Sequence, residues 1–198
     1  MFLNKKSKFF SLLFLFLVGI VSAQMREKVS NEQPIKENDQ ENKEVKIEIL
    51  SAKSLKAGRS KDHQKLVGNV VLRQGDIKLF CDSAEVNQLT NDFDAWGKVF
   101  INKNDSVKAW GDSLKYDGTT ETAKLIGHAR LLQDGAELKT EVLYLDEKKD
   151  LFYYLTPATI HSDQTEITSG KGYFYSKTNI VTFKQEVLVV NPDYTMSA

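Results

Sequence analysis

The stretch from residue 66 to residue 117 contains the same pattern twice, and this repetition constrains the fold more than any other feature. The first copy reads G-N-V-V-L from Gly68, and the second reads G-K-V-F-I from Gly97. A third copy begins at Gly127, and a weaker fourth copy runs from about residue 157 to residue 176. Because a fixed period of about 30 residues is typical of repeat architectures, each unit should bury its apolar face against its neighbours.

Each copy has the alternation of apolar and polar residues that is typical of half-buried β-strands. In the first copy, the strand containing Val70 and Leu72 is followed by Gln74-Gly75-Asp76, which has the composition of a hairpin turn. Equivalent turn sequences occupy residues 103–105 and 133–135. Each repeat is therefore predicted to be one antiparallel hairpin.

The apolar phase shifts by one residue inside the second strand of each hairpin. Leu79 and Cys81 occupy odd positions, whereas Ala84 and Val86 occupy even positions after Asp82-Ser83. Such a shift turns the side chains to the other face unless the strand bends or bulges. Because the shift recurs one repeat later, we predict a corner shared by successive hairpins, with irregular strand ends as the alternative. Single glycines such as Gly97 are expected at bulges or close backbone approaches.

Hairpins stacked and bent at a common corner would form two facing sheets with an apolar slot between them. The residues predicted to line this slot recur at matching positions of the repeats. They are Val70, Leu72, Ile77, Leu79, Val99, Ile101, Val107, Ala109, Leu131 and Leu138. Trp96 and Trp110 flank the second hairpin, and packing in the core or slot is favoured over stacking on sugar rings.

The first 23 residues form a separate module. Three lysines at positions 5, 6 and 8 precede an apolar run over residues 9–21, and small residues occupy Val21 and Ala23. This run is shorter than the roughly 20 residues of a membrane-spanning helix, and its flanks are typical of a secretory signal. We predict cleavage after Ala23 and a periplasmic location, with an uncleaved anchor as the alternative.

The remaining chain divides into a polar linker and one folded domain. Residues 24–44 contain few aliphatic residues and are predicted to be a disordered linker, with a mobile binding arm as the alternative. The domain is expected over residues 45–198, with a loop or wide turn at 54–64 and a strand pair at 180–190. Asp193 to Ala198 begins another strand whose hairpin partner is missing, which indicates either a fragment of a longer chain or an open sheet edge able to assemble head to tail.

No credible catalytic or metal-binding pattern is present. His63, His128 and His161 lie far apart without ligand spacing, so no catalytic residue, metal or cofactor is predicted, and the chain is not expected to be an enzyme. Acidic residues recur at one repeat position, as at Asp82 and Asp112. They could bind Ca²⁺, but hydrogen bonding to the bent backbone is favoured.

Charge and cysteine content narrow the partners further. The formal net charge of the whole chain is zero, and no basic stripe is present, so a nucleic-acid partner is not expected. Cys81 is the single cysteine, which excludes an intramolecular disulfide. Its place among apolar strand residues predicts a buried, unreactive thiol.

These motifs resemble the OstA-like N-terminal domain of the organic-solvent-tolerance family. The resemblance rests on three segments, residues 68–76, residues 79–84 and residues 95–99. It implies a bent antiparallel β-jelly roll, open at both ends, that carries lipopolysaccharide with the lipid A acyl chains in the slot. It also implies stacking end to end, as a bridge between an inner-membrane exporter and an outer-membrane translocon with related domains.

The rival interpretation is an exported β-solenoid with a structural or adhesive role and no lipid ligand. Such a solenoid would share the period of about 30 residues but would lack the phase shift within its strands.

Overall fold

The computed structural model describes residues 46–57, 62–178 and 180–198, so the predicted signal peptide and linker lie outside the described residues. Fifteen strands in these ranges are joined into one antiparallel sheet. Helices long and apolar enough to cross a membrane are not found among the described residues. The predicted all-β fold of antiparallel hairpins is confirmed.

The strands are of two kinds, six long ones in the middle of the sheet and shorter ones at both ends. They are β1 Glu48–Ser51, β2 Ser54–Ala57, β3 His63–Gln74, β4 Ile77–Asn87, β5 Asp92–Lys103, β6 Val107–Asp117, β7 Thr122–Gln133, β8 Ala136–Asp146, β9 Leu151–Tyr154, β10 Ala158–Ser162, β11 Thr165–Ser169, β12 Lys171–Tyr175, β13 Ile180–Lys184, β14 Leu188–Asn191 and β15 Tyr194–Ser197.

Every long strand bends near its middle, as the phase shift predicts. Register shifts interrupt the ladders between β3 and β8, for example between Val67 and Val70 and between Phe80 and Ser83. Two consecutive left-handed residues form the bend on β3, β5 and β7; on β5 they are Gly97 (φ +77°) and Lys98 (φ +50°). Such a pair places two residues opposite a single residue of the neighbouring strand. The side chains that follow therefore turn to the opposite face, which creates the corner.

The corner divides the sheet into two facing layers. The first layer contains β2, β9, β12 and β13 together with one half of each long strand. The second layer contains β1, β10, β11, β14 and β15 together with the other halves. The predicted two sheets are therefore two layers of one continuous sheet, and a single hydrophobic core lies between them.

After β8 the corner is made by breaks between short strands. The chain passes from β9 to β10 through residues 155–157, from β11 to β12 through Gly170, and from β13 to β14 through residues 185–187. β9, β12 and β13 extend the first layer, whereas β10, β11 and β14 extend the second. The bent architecture thus continues even though the strands are no longer continuous.

Three sequence-based expectations about the flanking segments are wrong in detail. Residues 54–57 form strand β2 rather than a loop, and β3 already begins at His63. The segments at 180–184 and 188–191 are strands, but they pair with β12 and β11 and not with each other. The last strand, β15, is the second strand of a hairpin with β14, so its hairpin partner is present.

Candidate functional site

An unbroken row of aliphatic side chains crosses the whole second layer on its inner face. The strand registers link one residue from each neighbouring strand along the path from β1 to β15. The row is Ile49, Leu72, Leu79, Ile101, Ala109, Leu131, Leu138, Ile160, Ile167, Val189 and Met196. It is buried or partly buried in the middle of the sheet and emerges at the C-terminal end, where Met196 is 57% exposed. We call this set the aliphatic row.

The first layer presents a matching apolar face. One row there runs across β2 to β8 through Leu55, Leu66, Ala84, Ala95, Leu114, Leu125 and Leu143. Together the two layers enclose a slot with aliphatic walls. Burying such surface contributes about 25 cal/mol per Å² of apolar area, which stabilises the closed arrangement of the layers.

All ten residues predicted to line the slot belong to the inner face of the second layer. Val70, Leu72, Leu79 and Val99 are almost fully buried, and Val107, Ala109 and Leu138 are buried as well. Ile77, Ile101 and Leu131 are partly buried, and these three border open space between the layers. The structure thus brings the ten residues together, and their contact with a lipid remains a prediction.

A cavity of about 110 Å³ opens into the slot in the middle of the sheet. Its walls combine second-layer residues such as Ile101 and Leu131 with first-layer residues such as Leu125 and Leu143. Above it, at the rim, lies a wider vestibule of about 370 Å³ that shares Ile77 with the cavity. The slot therefore has an apolar floor and a wider outer chamber.

The rim of the vestibule is formed by charged turns from both layers. Asp76 belongs to the β3–β4 turn of the second layer, whereas Glu121, Glu147 and Asp150 belong to turns of the first layer. Partial burial, with a contribution from the nearby Glu121 carboxylate, raises the pKa of Glu147, and the attraction of Lys103 opposes this effect. The polar rim and apolar floor together suit an amphiphile better than a purely apolar molecule.

Tyr154 closes the slot toward the C-terminal end. Its side chain is fully buried. Its ring packs so closely against Gly172 that a side chain at position 172 would clash with it. Its hydroxyl lies 2.7 Å from Oγ of Ser169, so a hydrogen bond joins β9 of the first layer to β11 of the second. The ring centroid of Phe174 lies 6.0 Å from that of Tyr154, and the centroid of Phe183 lies 5.9 Å from that of Phe174. Aromatic rings, rather than open space, therefore fill this part of the slot.

Cys81 lies at the corner, on the inner face of β4. Its thiol is buried and lies 3.2 Å from the carbonyl oxygen of Ser83. Burial raises the pKa of this thiol to about 11, and the Asp82 carboxylate acts in the same direction. The predicted burial of Cys81 is confirmed. Because a thiol that stays protonated is a poor nucleophile, its lack of reactivity stays a prediction.

The expectation that the two tryptophans pack in the core or slot is wrong, because both lie on the outer face. Trp110 stacks on Phe100 at a centroid distance of 5.3 Å, and the guanidinium of Arg130 lies 4.5 Å from the centre of the Trp110 ring. Trp96 is 36% exposed and pairs with Ser83 and Ser113 across the strands. Each tryptophan neighbours the corner, where the phase shift reverses the inner and outer positions.

The repeated acids at the corner lie against the glycine of the adjacent strand, and their hydrogen bonding to the bent backbone stays a prediction. The Asp112 carboxylate lies 2.9 Å from Nδ1 of His128, a side chain on the adjacent strand, and this contact raises the pKa of His128. Asp112 also packs against Gly127, as Asp82 packs against Gly97, and a Cβ added at either glycine would clash with the aspartate. In the described part of the chain, no group of three or more His, Cys, Asp or Glu residues is placed to hold a metal ion.

Sequence reasoning missed the two features that shape the slot most directly. Tyr154 belongs to the weakly repeated region, where the period no longer indicates which residues face inward. Lys103 lies in a predicted turn, but β5 extends through it and places it on the inner face beside Ile77 and Val107. Continuing the alternation from Val99 and Ile101 by one more step would have identified Lys103.

Comparison with known proteins identifies the family of the chain. Residues 42–198 match the OstA-like protein family, and the chain belongs to this family. As a member of it, the protein is not an enzyme. None of the curated proteins compared with the chain matches it.

Among solved structures, the chain is similar to LptH from Pseudomonas aeruginosa, described as the LptA homologous periplasmic component of the lipopolysaccharide transport device. The sequences are 14% identical, and the TM-score is 0.38. The match covers 74% of this chain and 95% of the LptH chain.

Proposed function

We propose that the protein binds lipopolysaccharide in the slot and carries it through the periplasm, with acyl chains lying on the aliphatic row. The observation that supports this proposal most strongly is the continuity of that row from Ile49 to Met196 across every strand of the second layer. Membership of the OstA-like family supports the same function. A purely structural solenoid would not need an apolar row that reaches the surface at the end of the sheet.

Site-specific crosslinking tests the proposal, because adjacent strand positions face opposite sides. A photo-reactive residue at Leu79 or Ile101 lies on the aliphatic row, whereas the same residue at Lys78 or Asn102 lies on the outer face of the same strands. We expect the inner pair to capture a lipid A-type molecule in cells and the outer pair to capture none. Equal capture at both pairs would favour the structural, lipid-free alternative.

The proposal includes export and removal of residues 1–23. N-terminal sequencing of the mature protein should find Gln24 at the start, and the protein should be recovered from the periplasmic fraction. Retention of Met1 together with recovery in the membrane pellet would contradict this part of the proposal.

A bridge between the two membranes requires copies or related domains to join through their sheet edges. Among the described strands, β15 pairs with β14 alone, so one of its edges offers backbone groups to another strand. Val187 and Ala198 exchange both backbone hydrogen bonds, at 2.8 and 2.9 Å. Because hydrogen-bonded pairs alternate along an antiparallel ladder, the N–H groups of Thr195 and Ser197 point toward the open edge.

This geometry gives a specific test of head-to-tail assembly. Thr195→Pro removes a donor from the open edge while keeping the bonds to β14, whereas Met196→Pro removes a donor from the β14–β15 ladder itself. We expect light scattering to show linear oligomers that grow with concentration and that Thr195→Pro shortens. A monomer at every concentration would contradict self-assembly and leave docking to a related domain as the remaining form of the proposal.

A further inference from the structure

One charged residue faces the inside of the fold. Within the strands of the described ranges, the registers place apolar or uncharged polar residues at every inward position except Lys103, at the end of β5. It belongs to the row nearest the rim, next to Ile77 on β4 and Val107 on β6. An inward lysine at the edge of an apolar cavity is costly unless its charge has a function or a partner.

The surroundings of Lys103 only partly satisfy its charge. The side chain is 18% exposed and borders the apolar cavity, with Nζ 3.7 Å from Oδ2 of Asp76. Charge-assisted hydrogen bonds are shorter, at about 2.7–2.9 Å. The same Asp76 oxygen also accepts a hydrogen bond of 3.1 Å from Nδ2 of Asn104. The Lys103–Asp76 pair is therefore loose, and a better anionic acceptor can compete with Asp76.

The other acids around the vestibule are held by lysines of the first layer. Nζ of Lys177 lies 2.6 Å from the Asp150 carboxylate, and Nζ of Lys148 lies 3.8 Å from that of Glu121. These pairs offset much of the negative charge that would repel an anionic ligand. Glu147 is the remaining acid, and Lys103 attracts its carboxylate as well as that of Asp76. The cavity below these groups has nearly no polar wall.

We propose that Lys103 is the residue that selects the head group of the ligand, by binding its anionic group at the rim while the chain enters the slot. This inference rests on the proposed lipid-carrying function and adds the residue that recognises the anionic head group. The position of Lys103 fits this role, because it lines the apolar cavity while its ion-pair partner Asp76 lines the vestibule. Its ammonium group therefore lies where a chain in the cavity would meet a head group in the vestibule.

The test uses two single-chain amphiphiles that differ in head group, dodecyl phosphate and the uncharged dodecyl maltoside, both below their critical micelle concentrations. Calorimetry measures their affinities for the mature protein and for Lys103→Met, which keeps the length of the side chain and removes its charge. Lys103→Arg restores the charge. Lys78→Met, on the outer face of the neighbouring strand, is the matched control.

We expect Lys103→Met to weaken dodecyl phosphate binding about tenfold, as for loss of one charge-assisted contact, and to leave dodecyl maltoside binding unchanged. Lys103→Arg should retain most of the affinity for dodecyl phosphate. Lys78→Met should change the affinity for neither amphiphile. Glu147→Gln should strengthen phosphate binding a few-fold, since it removes a neighbouring negative charge. Inorganic phosphate alone should not displace either probe, because it has no chain to place in the slot.

The outcomes separate this inference from the proposed function. If the natural protein binds both probes and Lys103→Met weakens both equally or neither, head-group selection by Lys103 is wrong while amphiphile binding stands. Displacement of dodecyl phosphate by inorganic phosphate at equal concentration would also overturn the inference, since the chain would then contribute nothing. If the natural protein binds neither probe, both the inference and the lipid-carrying function are wrong.

Discussion

The long bent strands β3–β8 and the short strands β9–β15 build the same two-layered architecture in different ways. In the first region, the corner lies within each strand, and the left-handed pair begins with glycine at positions 68, 97 and 127. In the second region, the chain breaks at the corner, and the left-handed pair is Gln185-Glu186. The first core is mainly aliphatic and contains open space, with one aromatic pair, Phe93 and Tyr116, whereas Tyr154, Phe174 and Phe183 fill the second. The comparison indicates that continuous strands leave room for a ligand, and that aromatic packing replaces this room where the strands are broken.

The largest expected effect comes from removing the aromatic packing. Tyr154→Ala should lower the free energy of unfolding by about 3–5 kcal/mol, because it empties a fully buried site and removes the hydrogen bond to Ser169, whose hydroxyl keeps only its bond to the Lys171 carbonyl. Tyr154→Phe, which loses only the hydrogen bond, should cost about 1 kcal/mol. Urea denaturation followed by circular dichroism measures both. Leu66→Ala is the aliphatic counterpart in the long-strand region, and an equal or greater loss there would contradict the special role of Tyr154.

A second test replaces one left-handed corner residue in each of the two regions. Gly97→Ala should destabilise by at least about 1–2 kcal/mol, the usual cost of a left-handed conformation, with an added clash against Asp82. Gly135→Ala, which has a similar φ but no neighbouring atom within 4 Å, isolates the conformational cost. Conversely, Gln185→Gly should stabilise by up to about 1 kcal/mol, since relief of strain exceeds the added freedom of the unfolded chain. Thermal denaturation measures these changes in stability. Equal losses for Gly97→Ala and Gly135→Ala would mean that the clash with Asp82 at the corner adds no cost.

Alkaline pH should weaken both regions through buried groups that stay protonated when folded. Burial raises the pKa of the Cys81 thiol to about 11 and also raises the pKa of Tyr154. The folded state then binds more protons than the unfolded state, so stability falls as the pH rises from about 9 toward 11. Denaturation at pH 8, 9 and 10 should show this decline. Cys81→Ala should make the free energy of unfolding fall less steeply with pH. An unchanged slope would mean that groups other than Cys81 cause the decline.

The smallest effects are expected at surface ion pairs. Lys65→Ala, which breaks an exposed pair with Glu85 between long strands, should change stability by no more than about 0.5 kcal/mol. Lys177→Ala should cost more, about 1 kcal/mol, because the Asp150 side chain is only 15% exposed and the pair is 2.6 Å long. Differential scanning calorimetry at low and high salt distinguishes them. A larger effect at Lys65 would mean that burial does not govern these pairs.

The sequence by itself determined the hairpins, their period, the corner and the inner face of the second layer. These follow from alternation and from the one-residue phase shift, which are local properties of the backbone that glycine and turn residues report directly. All ten predicted slot residues face inward for this reason. In the short-strand region, alternation over four or five residues is too brief to fix partners, so the pairing of β13 and β14 was wrong.

Only the tertiary structure decided how the two layers meet. The contact between Tyr154 and Ser169, the cavity beside Ile101 and the position of Lys103 at its edge depend on residues far apart in the chain. The outward position of Trp110 also depends on which side of the corner becomes the core. Local pattern fixes which side chains share a face, whereas the space between two faces is set by the sizes of side chains from opposite layers, which no periodicity records.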